Sequence, residues 1–128
     1  MLRNYLDSRV RSFRHAFAGW GYTVRTQPNA WVHAAVSLAV IPLGLWLRLS
    51  PQDWAILVVT MSLVWAAELF NTAIEAVVDL ASPNHQPLAK AGKDAAAGAV
   101  LVTAIGAILT GLLILGPPLW DKFQSLIH

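Results

Sequence analysis

Glu68, Asn71, Thr72, Glu75 and Asp79 fall within the run 68–79, inside one of the greasiest stretches of the chain. At about 100° per residue, all five project from one face of a helix, across an arc of about 100°. An ionisable residue inside a membrane span costs roughly 2.5–3.5 kcal/mol on insertion scales, so carboxylates placed there point to function. Three carboxylates on one face also repel one another unless a cation joins them. Glu68, the deepest, is the candidate general base, placed to take a proton from an attacking group. Glu75 and Asp79, nearer to water, are candidates to hold Mg2+, which binds a couple of carboxylates and completes its shell with substrate phosphates and waters. Asn71 can orient either group by hydrogen bonding.

Further along, Lys93-Asp94 precedes a third apolar run. Asp94 is the expected N-cap of that helix, and Lys93 adds a cation at a helix amino terminus, a combination suited to polyphosphate. Read without function, Lys93 is an interfacial lysine whose stem lies along apolar surface. Gly92-Lys93 is not part of a P-loop. That motif needs Ser or Thr after the lysine and a glycine where this chain has Pro87, and Asp94 follows Lys93 instead.

These residues need helices to hold them, and composition says where. The 128 residues are 56% hydrophobic and 12% charged, about half the charge of a soluble domain, so most apolar surface must face lipid. Cysteine is absent, which excludes disulfides and thiolate chemistry, and four scattered histidines lack the spacing of a zinc site. The net charge of +2 gives no reason to expect a nucleic-acid partner. Apolar runs at about 31–49, 54–78 and 95–115 each meet the requirement of about 20 residues for a transmembrane helix. Ser50-Pro51-Gln52-Asp53 is the expected turn between the first two, a polar loop over 80–92 separates the second and third, and Gly116-Pro117-Pro118 is the expected end of the third. Trp120 then reads as an interface anchor.

Residues 2–24 differ. Leu2, Leu6, Val10, Phe13, Phe17, Trp20 and Val24 recur at steps of three and four with arginines between them, the pattern of a basic amphipathic helix lying on a membrane surface. No short apolar region follows the basic start, as a cleaved signal peptide would require. Arg3, Arg9, Arg11, Arg14, Arg25, Lys90 and Lys93 share one side of the expected topology, against Arg48 and Lys122 on the other. That bias puts the amino terminus and the 80–92 loop in the cytoplasm. The fold class is therefore all-α integral membrane: one unit over 1–128, with an amphipathic amino-terminal surface helix and three transmembrane helices. Small residues along the third span (Ala95, Gly98, Gly106, Gly111) suit close packing, and three helices do not readily enclose a polar site, so oligomerisation is expected.

Taken together, Glu68-x-x-Asn71-Thr72-Ala73-Ile74-Glu75-x-Val77-Val78-Asp79 and the Lys93-Asp94 that follows resemble the prokaryotic diacylglycerol kinase family, which includes undecaprenol kinases. The resemblance covers nearly the whole chain. It implies a homotrimeric enzyme of the bacterial inner membrane that transfers the γ-phosphoryl group of MgATP to a lipid hydroxyl, with active sites between protomers at the cytoplasmic interface. The acceptor would be diacylglycerol, giving phosphatidic acid, or undecaprenol, giving its phosphate. Carried over residue by residue, Glu68 matches the general base and Glu75 a metal ligand. Asn71 and Asp79 match supporting residues, Lys93 and Asp94 the nucleotide-contacting pair, and Asn84, His85 and Gln86 the loop over the nucleotide. Arg9 matches a phosphate contact, and His15 stands where the family usually has Tyr, still able to stack on adenine. The family's second metal-binding glutamate is replaced by Gln27, an oxygen donor without charge. Asn29 and His33 resemble the undecaprenol-type branch. Two other classes compete: a cation or proton conductor, which should carry ionisable groups across the whole bilayer, and a noncatalytic membrane scaffold, which leaves the acidic face unexplained.

Overall fold

The structure is a computed structural model that describes residues 2–84 and 86–127, with side chains from Asp7 onward. It consists of four helices, α1 (Leu2–Thr26), α2 (Pro28–Leu47), α3 (Pro51–Ala81) and α4 (Pro87–Ile127). Each of the last three opens on proline, which tolerates the first helical position because its missing N–H would have no partner there. The residue before a proline is pushed out of helical geometry. Gln27 accordingly sits in extended conformation (φ −108°, ψ 113°) and breaks the rod between α1 and α2.

The α2–α3 turn is tighter than the sequence suggests. Arg48 takes the left-handed conformation (φ 57°, ψ 47°), and the Leu49 N–H returns to the Gly44 carbonyl at 3.2 Å. Ser50 then caps α3: its hydroxyl accepts from the Asp53 N–H at 3.2 Å, while the Asp53 carboxylate accepts from the Ser50 N–H at 3.3 Å. Pro51 thus starts the second span rather than merely breaking the chain. A side chain at Gly44 would meet the Trp54 ring, whose nearest atom lies 2.8 Å from where a Cβ would stand.

Two features of α4 correct the sequence reading. Pro117 and Pro118 lie inside the helix, which continues to Ile127. Their fixed φ of about −65° is compatible with helix, so the rod goes on despite lost ladder hydrogen bonds. Nor is Asp94 an N-cap. The α4 helix begins at Pro87, the Gln86 carbonyl accepts from the Lys90 N–H at 3.1 Å, and Asp94 instead pairs with Lys90 one turn earlier. Lys93 consequently stands in the second turn of α4.

The helices α2, α3 and α4 are each long and apolar enough to cross a membrane. At 1.5 Å per residue, the 31 residues of α3 reach about 46 Å, more than a hydrocarbon core of about 30 Å, so part of the helix projects beyond it. Burial is inverted relative to a soluble protein. Leu38, Val102 and Leu113 are all at least 70% exposed, whereas the largest fully buried side chains are Glu68 and Thr23. Lipid, in place of a private core, is the solvent of the apolar residues.

Gly44→Ala should therefore loosen the α2–α3 hairpin, because overpacking typically costs about 1–3 kcal/mol. A thermal melt of the detergent-solubilised protein should show a lower midpoint than wild type.

Candidate active site

Midway along α3, Glu68 is completely buried. Among the described residues, neither of its carboxylate oxygens has a hydrogen-bond partner. Beside it stands His33 on α2, whose Nε2 lies 3.6 Å from Oε2, too long for a hydrogen bond but within ion-pair range. That same Nε2 is itself buried and unpartnered. Thr72, one turn on, does not relieve the carboxylate, since its hydroxyl donates to the Glu68 backbone carbonyl at 2.8 Å. Such groups are rare in folded proteins because each forfeits its hydration with nothing in return.

Aromatic packing backs this pair. Trp65 stands edge-on to His33 with centroids 6.3 Å apart, and its indole N–H donates to the Ser37 hydroxyl at 3.3 Å. Trp20 of α1 stacks on Trp65 at 4.5 Å, so α1 leans back against α3 just below the break at Gln27. Nothing in the periodicity singled out this stack. Its only signal was two tryptophans lying inside their segments instead of at the ends.

Two turns beyond Glu68, half-buried Glu75 gathers two amides. Gln27 donates through Nε2 to Glu75 Oε2 at 2.7 Å, and Asn71 donates through Nδ2 to Oε1 at 3.3 Å. The Asn71 carbonyl oxygen is left buried and unpartnered. Glu75 thus ties the break between α1 and α2 to α3 through one amide and is held by a second from its own helix. Among the described residues, no three His, Cys, Asp or Glu side chains gather into a preformed metal cage.

Further toward the end of α3, Asp79 accepts two hydrogen bonds from the Lys93 ammonium, at 2.9 and 3.2 Å. This pair joins α3 to α4 at an exposed position. Lys90 and Asp94 form a second exposed pair beside it. Asn84 and Gln86 are exposed in the α3–α4 connection, and His85 lies outside the described residues.

One chain therefore brings together Gln27, Glu68, Asn71, Glu75, Asp79 and Lys93 along one side of α3, while Asp94 pairs with Lys90 on its own helix. It does not bring Arg9 or His15 to them. On α1 these residues stand about 27 and 18 Å from Gln27 along the helix axis, and His15 is exposed.

A family model described as prokaryotic diacylglycerol kinase matches residues 14–115. The chain belongs to the prokaryotic diacylglycerol kinase family. Among similar proteins, the undecaprenol kinase of Bacillus subtilis (strain 168) is 46% identical over 117 residues, covering 91% of this chain and 95% of that one. The diacylglycerol kinase of Synechocystis sp. is also 46% identical, over 109 residues that cover 84% of this chain and 62% of the longer relative. The diacylglycerol kinase of Escherichia coli (strain K12) is 32% identical over 126 residues, spanning 92% and 99% of the two chains. This protein is a lipid kinase that uses ATP and carries three helices fit to cross a membrane. The expected family and activity hold, and nothing supports the conductor or the scaffold.

The Asp79–Lys93 pair is exposed at both ends, and such pairs contribute about 0–1 kcal/mol. Lys93→Met should accordingly leave the thermal midpoint of the kinase within about 4 °C of wild type, measured by the same melt as above.

Proposed function

We propose that Glu68 is the general base of phosphoryl transfer from ATP to the primary hydroxyl of diacylglycerol or undecaprenol. The observation that carries this reading is its completely buried carboxylate, with both oxygens unpartnered in the middle of a membrane-length helix. A hydroxyl arriving there supplies the missing donor. Glu68 takes its proton as the oxygen bonds to the γ-phosphorus and the bond from that phosphorus to the β–γ bridging oxygen breaks, releasing ADP. Phosphoryl transfer asks little covalent help of a protein beyond positioning and charge neutralisation.

Glu75 suits magnesium. Its single carboxylate and the amides of Gln27 and Asn71 are too few for an all-protein cage, but an ion that arrives with the triphosphate needs only one or two carboxylates. When bound, Mg2+ would neutralise charge developing on the phosphate oxygens. Gln27 would hold the Glu75 carboxylate in place, and its own oxygen is available as a neutral ligand. Lys93, released from Asp79, would meet the triphosphate, with Asp94, Asn84, His85 and Gln86 around the nucleotide. Asn71 and Asp79 support these groups.

Three further elements complete the proposal. Seven basic residues on one side of the topology against two on the other put the amino terminus and the active site at the cytoplasmic face of a bacterial inner membrane. The exposed apolar side chains Val10, Phe13 and Phe17 of α1, with arginines between them, suit a helix lying at that interface. Arg9 and His15 lie too far from Glu75 in their own chain, so in a homotrimer they would complete a neighbouring protomer's nucleotide site. Against a conducting pathway, α3 carries no ionisable residue from Trp54 to Ala67.

Glu68→Gln should lower kcat by about 10²–10⁴-fold, the usual contribution of a general base, while MgATP still binds in an equilibrium titration. Full activity in that variant would remove the base assignment. Gln27→Glu should add a second carboxylate beside Glu75 and lower, by a few fold, the Mg2+ concentration that gives half-maximal rate. Marked loss of activity at every Mg2+ concentration would show instead that the amide is required.

A further inference from the structure

A sealed base has to be emptied. Converting an alcohol and ATP into a phosphate dianion and ADP releases one proton, and Glu68 must lose the one it takes before it can act again. Glu68 is completely buried, and it lines neither of the two clefts that run between α2, α3 and α4. Among the described residues, its carboxylate has one ionisable side chain within ion-pair range, His33, whose Nε2 is buried and unpartnered like the carboxylate itself. The imidazole as a whole is not sealed in the same way. Its side chain keeps 13% of its surface exposed, against none for Glu68, and it lines both clefts.

The two clefts differ in what they could carry. The larger, of about 440 Å³, is walled by apolar residues apart from His33, Ser37 and Thr60, and the Ser37 hydroxyl already accepts from Trp65. The smaller, of about 250 Å³, has room for several waters and sets His33 beside Asn29 and Asn71. Asn71 uses its amide N–H on Glu75 and leaves its carbonyl oxygen buried and unpartnered. Asn29 is exposed, one turn from His33 and about 6 Å nearer the start of α2. A buried water needs about two to four polar partners, and two amides with an imidazole supply them. On α4 the same cleft is lined by Ala97, Val100, Leu101 and Ala104, none of which can take a proton.

Resting on the base assignment of Glu68, we infer that His33 is the outlet for the proton that Glu68 collects, relaying it to water in the cleft lined by Asn29 and Asn71. The Glu68 O–H bond breaks as the Nε2 lone pair forms an N–H bond, leaving carboxylate and imidazolium. The imidazolium then loses a proton to water, which carries it past Asn29, and both side chains regain their starting charges. Histidine is the residue type suited to such a shuttle, since it takes up and releases protons near neutral pH. A carboxylate and an unprotonated Nε2 both offer lone pairs, in keeping with a resting gap of 3.6 Å. A proton on the carboxyl turns that contact into a hydrogen bond, and a small side-chain rotation closes it.

The experiment uses full-length protein in lipid nanodiscs, with ATP and with undecaprenol and diacylglycerol offered separately, and compares the first turnover with the steady state. Transfer to the first acceptor needs an empty base but no outlet. His33→Ala should therefore complete its first turnover within about twofold of the wild-type rate and then slow, giving a burst. Its steady-state kcat should fall about tenfold or more, and imidazole added to the buffer should restore most of it. Pyrrole, a ring of the same size without a basic nitrogen, should not. His33→Gln keeps the site filled and polar but cannot relay, so it should show the same burst and steady-state loss without rescue; it carries the test should the alanine variant fail to fold. Equal slowing of first and later turnovers in both variants, or equal rescue by pyrrole, overturns the relay and makes His33 a packing residue. An unchanged steady-state rate in both also overturns it, because the proton then leaves with the product phosphate. The base assignment survives each of these results so long as Glu68→Gln blocks the first turnover. A Glu68→Gln protein with a wild-type first turnover would bring down that assignment, and the relay with it.

Discussion

An unpartnered carboxylate in the middle of a membrane bundle is the constraint around which this molecule is arranged. Water would satisfy Glu68, lipid would not, and among the described residues no helix gives its carboxylate a hydrogen bond, the His33 nitrogen standing off at 3.6 Å. Burying an unsatisfied polar group costs a few kcal/mol, comparable to a substantial fraction of a small protein's stability. Apolar packing at this position would be more stable and inert. The cost is understandable for a group whose partner is the substrate, since a base already shielded from water competes with nothing for the incoming hydroxyl.

From that point the α3 helix grades from oil to water. Glu68 is sealed, Glu75 is half-buried and held by two amides, and Asp79 is exposed and paired with Lys93. The gradient matches the physical difference between the two reactants. A lipid alcohol comes from the bilayer and needs a proton acceptor away from water, whereas a nucleotide triphosphate comes from water and needs charge near the surface. One rod with a single polar stripe brings both to within a few turns of each other, because residues three and four apart stack on one side.

Much of this was legible before any coordinates. Lipid cannot satisfy backbone N–H and C=O groups, so a long apolar run in a membrane is forced into helix, and three such runs define the spans. The polar stripe follows from helical geometry alone. What misled were local punctuation signals. Pro117-Pro118 reads as a terminator, yet proline's φ is helical and the rod tolerates the pair; Asp94 reads as a cap, yet Pro87 opens the helix earlier. Boundaries depend on which of several permissible starts and stops the folded chain adopts, and short-range preference does not rank them. Gln27 became a candidate by resemblance only, since no spacing rule links it to Glu75 across 48 positions.

The amino-acid sequence by itself determined the class of molecule, the number of membrane-length helices, the face that carries the acidic residues and, through its motifs, the family. Tertiary structure alone decided that Glu68 is fully buried with its carboxylate lacking a donor among the described residues, that His33 stands 3.6 Å from that carboxylate, that Trp20 reaches across to Trp65, and that Gln27 and Asn71 converge on Glu75. The reason is one of range. Periodicity reports on neighbours within a turn or two of one helix, while burial and partnership depend on how separate helices cross, and that is set by the packing of many weak contacts spread along whole rods.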